Sequence, residues 1–279
     1  MPTLPYYVVD VFADRPFEGN PLAVVLGADD LSTDELQAIT REFNLSETAF
    51  PLPSDVADYR VRIFTPVSEL PFAGHPSVGT AWLLGQLSRI PLGPVRQECG
   101  AGILPVEVGP DGATLTGGAP TVGDPLPAAA LLAAVGLTDA DLAGPPPRVA
   151  GVGIDWTYLQ VRDEAVARAT PNLAAIRQIC PMGIYVYSWD PAGRAHARGI
   201  APDVGEDPAT GSAALGLGVH LAASGVIGNG DAGYTIRQGI EMLRPSTLDC
   251  RVSVVDGRAV RATVRGRVAQ VAVGELQRP

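Results

Sequence analysis

Two stretches of the chain place a carboxylate just ahead of small residues: ELPFAGHPSVG (69–79) and EDPATGSAALG (206–216). Both fit the pattern E-x-P-x-x-G-[HS]-x-x-[VL]-G. In each, a glycine and a polar residue, Gly74-His75 and Gly211-Ser212, stand where an apolar helix would begin. A helix N-terminus leaves backbone N–H groups unpaired and carries a partial positive charge, so it can hold a carboxylate or phosphate without Lys or Arg. Glycine at that point lets the backbone approach such a ligand closely. For a single copy, a plain helix cap by Ser212 and Asp207 competes with the binding reading.

The elements that would position these groups repeat. An offset of 137 carries Glu69 onto Glu206, Pro71 onto Pro208, Gly74 onto Gly211, His75 onto Ser212 and Gly79 onto Gly216. The same offset carries Leu36 onto Leu173 and Ile39 onto Ile176. In the earlier copy Ser32-Thr33-Asp34-Glu35 forms a capping box ahead of an apolar face of Leu36, Ile39 and Phe43. The later copy opens at Pro171-Asn172, a helix start. Gln97 and Gln238 open comparable segments at a slightly longer offset. After Pro76 and after Ser212 apolar residues cover every direction of a helix, which predicts two buried helices. Gly79, Gly216 and Gly218 lower helix propensity, so close packing against neighbouring backbone is the expected return.

Strands are expected at 6–12, 23–26, 48–52, 59–64, 184–189, 252–255, 260–264 and 268–273, from β-branched and aromatic runs between Gly, Pro and Asp. The Gly-, Pro- and Ala-rich segment 118–150 reads as a linker region with a short alanine-rich helix at 127–135. The expected organisation is an N-terminal half at 1–117, completed by a strand near 267–279, and a C-terminal half at 151–266.

The 279 residues are 46% hydrophobic and carry a formal charge of -10, which excludes disorder and argues against a nucleic-acid surface or an anionic membrane as partner. No apolar run reaches the roughly 18–20 residues that span a bilayer, and the opening MPTLPYYVVDVFADRPF lacks a signal pattern, so a cytoplasmic location is expected. Cys99, Cys180 and Cys250 are odd in number and widely spaced, without C-x-x-C; buried apolar positions suit them better than disulfides or a zinc site.

NLSETAF (44–50), PFAGHPSVG (71–79), EDPATGSA (206–213) and Gln238-Gly239 together resemble, in order and spacing, the motif set of the PhzF family of phenazine-biosynthesis isomerases, over essentially the whole chain. The resemblance implies an α+β, diaminopimelate epimerase-like fold: two pseudo-symmetric halves, each a curled mixed or antiparallel sheet around a central buried helix, with the active site between them. It implies a homodimer that needs no cofactor and acts on a small anionic substrate. Glu47 matches the family's general acid/base, His75 and Asp207 its other catalytic positions, and Gly74, Gly211 and Ser212 its substrate-binding positions. Glu47 has no repeat partner, because residue 184 is Ile184. A glutamate among Leu45, Phe50 and Phe72 would have its pKa raised toward working pH, as proton transfer between carbons requires.

The implied activity is a cofactor-independent isomerase, closest to trans-2,3-dihydro-3-hydroxyanthranilate isomerase; action on another small carboxylate, or anion binding without catalysis, are the alternatives. Racemases on this fold use two cysteines just before the motif glycines. Those positions here are Ala73 and Thr210, which argues against two-thiol chemistry. GNGDAG (228–233) spells a dinucleotide fingerprint, but it follows a helix and precedes a strand, the reverse of the required order, and reads as a turn. His196 and His220 carry no motif.

Overall fold

The computed structural model describes residues 3–279. Among the described residues two compact units emerge, 3–116 with 265–279, and 117–264. The first unit is built from β1 (Thr3–Val11), β2 (Asn20–Val25), α1 (Thr33–Phe43), β3 (Glu47–Leu52), β4 (Tyr59–Phe64), β5 (Glu69–Leu70), α2 (Gly74–Gln86), β6 (Gly93–Cys99), β7 (Gly102–Val108) and β8 (Gly112–Thr116). The second contains β9 (Thr121–Pro125), α3 (Ala128–Ala134), a 3-10 turn (Asp139–Asp141), β10 (Arg148–Gly151), β11 (Asp155–Gln160), α4 (Asp163–Arg168), α5 (Leu173–Ile179), β12 (Ile184–Asp190), β13 (Arg194–Ala201), β14 (Gly205–Asp207), α6 (Gly211–Ala223), β15 (Gly230–Gln238) and β16 (Ser246–Val255). The last strand, β17 (Arg258–Gln277), begins in the second unit, and its C-terminal part pairs with β1 in the first, from Val11↔Val268 to Thr3↔Gln277.

Each unit is a mixed sheet with the same order of pairing. In the first, β1–β2 is antiparallel, β2–β3 parallel, β3–β4 antiparallel, β4–β6 parallel and β6–β7 antiparallel. In the second, β10–β11, β11–β12, β12–β13, β13–β15 and β15–β16 follow the same alternation. The helices recur too: α2 and α6 both run 13 residues, and their bounds differ by the sequence offset of 137.

Local sequence explains these elements. Ser32 caps α1 through its Oγ, which accepts from Glu35 N, while Glu35 Oε2 accepts from Ser32 N at 2.7 Å. Asn44 ends the helix at φ 49°, the left-handed conformation Asn tolerates. Leu36 and Ile39 then pack with Phe50 and Phe64 in the core of the first unit, each such burial contributing about 1.5–3 kcal/mol. Asn172 caps α5 by accepting from Ala175 N at 3.1 Å.

Helix α2 is buried from Gly74 through Leu84 and packs on β1, β2, β3, β7 and β8; α6 is buried from Gly211 through Ala222 and packs on β9, β10, β11 and β16. A Cβ on Gly79 would stand 2.7 Å from Val11 Cγ2 and 2.8 Å from Leu22 Cδ2, and one on Gly216 would strike the Tyr158 hydroxyl. Close approach is therefore what these helix glycines provide.

The structure differs from the sequence reading in three places. Residues 118–150, read as a linker, carry β9, α3 and β10, and Leu131, Leu132, Val135 and Leu137 lie in the apolar cluster of the second unit; the alanine-rich composition hid an apolar face of a few leucines. The strands expected at 260–264 and 268–273 are one continuous β17, because Gly266 and Arg267 continue the strand where a break was read. In GNGDAG the last four residues already belong to β15 rather than to a turn.

Candidate active site

The chemistry of the first unit converges where three elements begin. Asn20 opens β2, Glu47 opens β3 and His75 is the second residue of α2. Parallel pairing sets Glu47 opposite Leu22, two residues beyond Asn20. His75 Nε2 lies 3.3 Å from Glu47 Oε2, and the other ring nitrogen, Nδ1, lies 3.1 Å from Asn20 Nδ2. Ser46 Oγ donates to Asn20 Oδ1 at 3.0 Å. Asn20 and His75 are buried, while the Glu47 side chain keeps 14% of its surface exposed. Burial pushes the His75 pKa down to about 3, so the imidazole is neutral around pH 7. The glutamate is thus the member of the pair that reaches solvent, and the histidine is a neutral group behind it.

The second unit holds Asp207 at the end of β14 and Ser212 as the second residue of α6. The N-cap of α6 is Thr210, whose own side chain makes no capping bond. Thr210 Oγ1 donates to Asp207 Oδ2 at 2.6 Å, and Trp156 Nε1 donates to Ser212 Oγ at 3.1 Å. Gln238 ties this corner together, since its Nε2 donates to Asp207 O and its Oε1 accepts from Thr210 N. Tyr185 OH donates to the same Oε1 at 2.8 Å. Gln97 has a matching place in the first unit, accepting from Tyr59 OH and donating to Ser77 Oγ, whose hydroxyl bonds back to Ala73 O.

The first carboxylate of each motif turns out to be structural. Glu69 takes both Nε and Nη2 of Arg62, and Glu206 takes both Nε and Nη2 of Arg198, each as a two-pronged ion pair with the neighbouring antiparallel strand. Such pairs pin the short strands β5 and β14 that lead into α2 and α6. Asp207, one residue beyond Glu206, is left as the carboxylate beside the helix start.

Gly74 and Gly211 are the first residues of α2 and α6. Ala73 and Thr210, where cysteines would stand in a two-thiol enzyme, are the N-caps of those helices. All three cysteines are buried, and burial raises the pKa of each thiol. Among the described residues no group of three or more His, Cys, Asp or Glu is placed to hold a metal ion. No helix among them is long and apolar enough to cross a membrane.

Of the residues expected from the sequence, Glu47 and His75 meet directly in the first unit, Asp207 and Ser212 stand at the start of α6 in the second, and Gly74 and Gly211 open α2 and α6. Asn20, Ser46 and Trp156 are additions from the structure. Ser46 lies inside the NLSETAF motif, while Asn20 follows Gly19 and reads as an ordinary turn residue.

The family model described as phenazine biosynthesis-like protein, PhzC-PhzF, matches residues 9–274. An uncharacterized isomerase from Mesorhizobium japonicum is 36% identical to the chain, covering 99% of this chain and 99% of its own. A trans-2,3-dihydro-3-hydroxyanthranilate isomerase from Pseudomonas chlororaphis is 37% identical over 92% of each. Among solved structures, a phenazine biosynthesis protein of the PhzF family from Bacillus anthracis superposes with a TM-score of 0.89 at 26% identity, covering 99% of this chain and 100% of that one.

Proposed function

The chain belongs to the phenazine biosynthesis-like PhzC-PhzF family of isomerases, and we propose that it moves a proton between carbons of a small cyclic carboxylate, with Glu47 as the base that removes it and, once protonated, the acid that returns it. The observation that carries this reading is the contact between Glu47 Oε2 and His75 Nε2 at 3.3 Å, with Asn20 on the far side of the ring. It supplies a carboxylate that reaches solvent, backed by a buried neutral imidazole. A base of this kind takes up a carbon-bound proton only if its charge is held by donors that do not neutralise it outright; a neutral imidazole N–H does that, whereas an imidazolium would favour the ionised carboxylate far more strongly.

Asp207 and Ser212 are assigned to the same reaction as further polar groups, Asp207 in proton handling and Ser212 in holding the substrate. Gly74 and Gly211 open helices whose first-turn N–H groups have no acceptor within the helix, a setting that favours a substrate carboxylate. No step calls for a cofactor. The recurring order of elements is read as an internal duplication giving two pseudo-symmetric halves, and a cytoplasmic homodimer is the expected form. The proposed substrate is trans-2,3-dihydro-3-hydroxyanthranilate, the compound named for the relative from Pseudomonas chlororaphis.

The test is to incubate wild type and Glu47→Gln with that compound in deuterated water and follow the ring protons by NMR. Isomerisation by wild type alone, with deuterium entering at carbon or the original proton returned, supports both the reaction and the base. Equal turnover by Glu47→Gln would remove Glu47 from the chemistry. Binding of the compound by both proteins without turnover by either would leave an anion-binding protein in place of an enzyme of this substrate.

A further inference from the structure

We propose that Asn20, oriented by Ser46, is a positioning residue that fixes the tautomer of His75, placing the ring's single hydrogen on Nε2, where it faces Glu47. The kinetic consequence rests on the reading of Glu47 as the proton carrier; the tautomer itself stands on geometry.

One side-chain amide sets the place of the ring hydrogen. Asn20 is wholly buried at the start of β2, and its two ends face different partners. Ser46 Oγ donates to Oδ1 at 3.0 Å, which turns the NH2 end toward His75. An amide nitrogen can only donate, so the ring atom 3.1 Å away, Nδ1, must offer a lone pair. A neutral imidazole has one N–H; with Nδ1 bare, it sits on Nε2. That atom is 3.3 Å from Glu47 Oε2, and a carboxylate oxygen can only accept. The contacts run hydroxyl to amide oxygen, amide nitrogen to Nδ1, and Nε2 to the carboxylate, the last a 3.3 Å charge–dipole contact rather than an aligned hydrogen bond. The reverse arrangement would set two lone pairs against each other at the Glu47 contact whenever the glutamate is ionised. Burial supports the scheme by keeping the ring neutral, with a pKa near 3, so there is one hydrogen to place rather than two.

A relay follows from Ser46, the residue before Glu47, through Asn20 at the start of β2 and the His75 ring back to the glutamate. Ser46 and Asn20 do not touch the proton being moved; they decide whether the ring presents a donor or an acceptor to Glu47. A donor orients the carboxylate and holds its charge, while an acceptor would repel it.

The tautomer can be read without any substrate. The chain has three histidines, so protein labelled with 15N-histidine gives a sparse long-range 1H–15N spectrum, in which the His75 signals are those lost in His75→Gln. Near neutral pH, the expected pattern is a protonated Nε2 and a bare Nδ1. A protonated Nδ1, or a doubly protonated ring, overturns the proposal. In Asn20→Asp the carboxylate accepts from Nδ1 and cannot donate to it, so the hydrogen should move to Nδ1 or a second one be added. With trans-2,3-dihydro-3-hydroxyanthranilate as the probe, kcat should then fall by about 10²-fold with KM within about threefold. Ser46→Ala, which keeps the amide but removes the hydroxyl donor to its Oδ1, should give a mixed tautomer and a smaller loss of kcat. If Asn20→Asp loses activity while His75 keeps its Nε2–H, Asn20 does not act through the tautomer. Should Asn20→Asp fail to fold, the wild-type and Ser46→Ala spectra still decide. If wild type shows the Nε2–H ring but leaves the compound unchanged, the substrate reading falls and the tautomer assignment stands.

Discussion

Replacing His220 by Phe should make the protein markedly less sensitive to mild acid. His220 lies on α6, fully buried, stacked on Tyr158 at 5.3 Å and edge-on to Tyr187 at 5.9 Å, and neither ring nitrogen has a hydrogen-bond partner among the described residues. Burial, with a contribution from Arg148, lowers its pKa from 6.5 to about 4. Because the native pKa lies below the unfolded one, the unfolded chain binds the extra proton first. Stability from this group is therefore fully present above about pH 6.5 and is lost as pH falls toward 4. Between about pH 7.5 and about pH 5 the unfolded histidine gains roughly 1.4 more log units of proton binding than the native one, which at 1.36 kcal/mol per unit is about 2 kcal/mol. His75, held at about 3, contributes a similar amount. The wild type should thus lose about 4 kcal/mol over this interval from its two buried histidines, beyond whatever its carboxylates add.

The clean measurement is a difference. Urea unfolding of wild type and His220→Phe at several pH values, followed by tryptophan fluorescence, cancels every group the two proteins share. The variant should be as stable as wild type or more so near pH 7.5, since it buries no unpartnered nitrogen. Its advantage should grow by about 2 kcal/mol on going to about pH 5. A stability difference that does not change with pH would refute the reasoning, because it would mean the ring is as easily protonated in the fold as out of it.

Two further outcomes follow from side chains already placed. Arg198 is buried, and besides Glu206 its guanidinium serves Val166 O and Ala169 O, whereas Arg62 and Glu69 are more open to solvent. Arg198→Met should cost about 3–5 kcal/mol in urea unfolding and Arg62→Met under about 1 kcal/mol, although the two arginines make the same two-pronged pair; equal costs would show that burial does not separate them. Iodoacetamide should leave the native protein unmodified by mass spectrometry and its activity intact, because all three thiols are buried with raised pKa values, and should label all three after denaturation. Loss of activity on native alkylation would bring a thiol back into the chemistry.

What the sequence made legible was whatever depends on near neighbours. The capping box at Ser32 and Glu35, the cap at Asn172 and the all-round apolar helices after Pro76 and Ser212 are written in spacings of a few residues, and the structure contains each of them. Strands such as β6, β7, β10, β11 and β13 left weaker traces. Gln97 and Cys99 take buried positions in β6 and Pro105 falls inside β7, which blurs the strand signal in the first two, and a central strand such as β13 owes its place to neighbours on both sides rather than to its own composition.

The site divides along the same line. Glu47, His75 and Asp207 lie in compact motifs whose resemblance to the PhzF set singles them out; by residue type and spacing alone Glu47 reads as an ordinary helix-end carboxylate. Asn20 and Ser46 do their work across 55 and 26 residues of chain, and no local pattern distinguishes an asparagine that orients an imidazole from one that merely follows a turn. The paired carboxylates of EDP show the converse difficulty. Glu206 and Asp207 are adjacent and chemically alike, yet strand alternation sends them to opposite sides, and the first meets Arg198 while the second meets Thr210. Only the partner marks Glu206 as the pin. Had Arg198 been absent, Glu206 would have been as good a candidate for proton handling as its neighbour; its bidentate, buried arginine is what commits it to holding β14, and so the start of α6, in place.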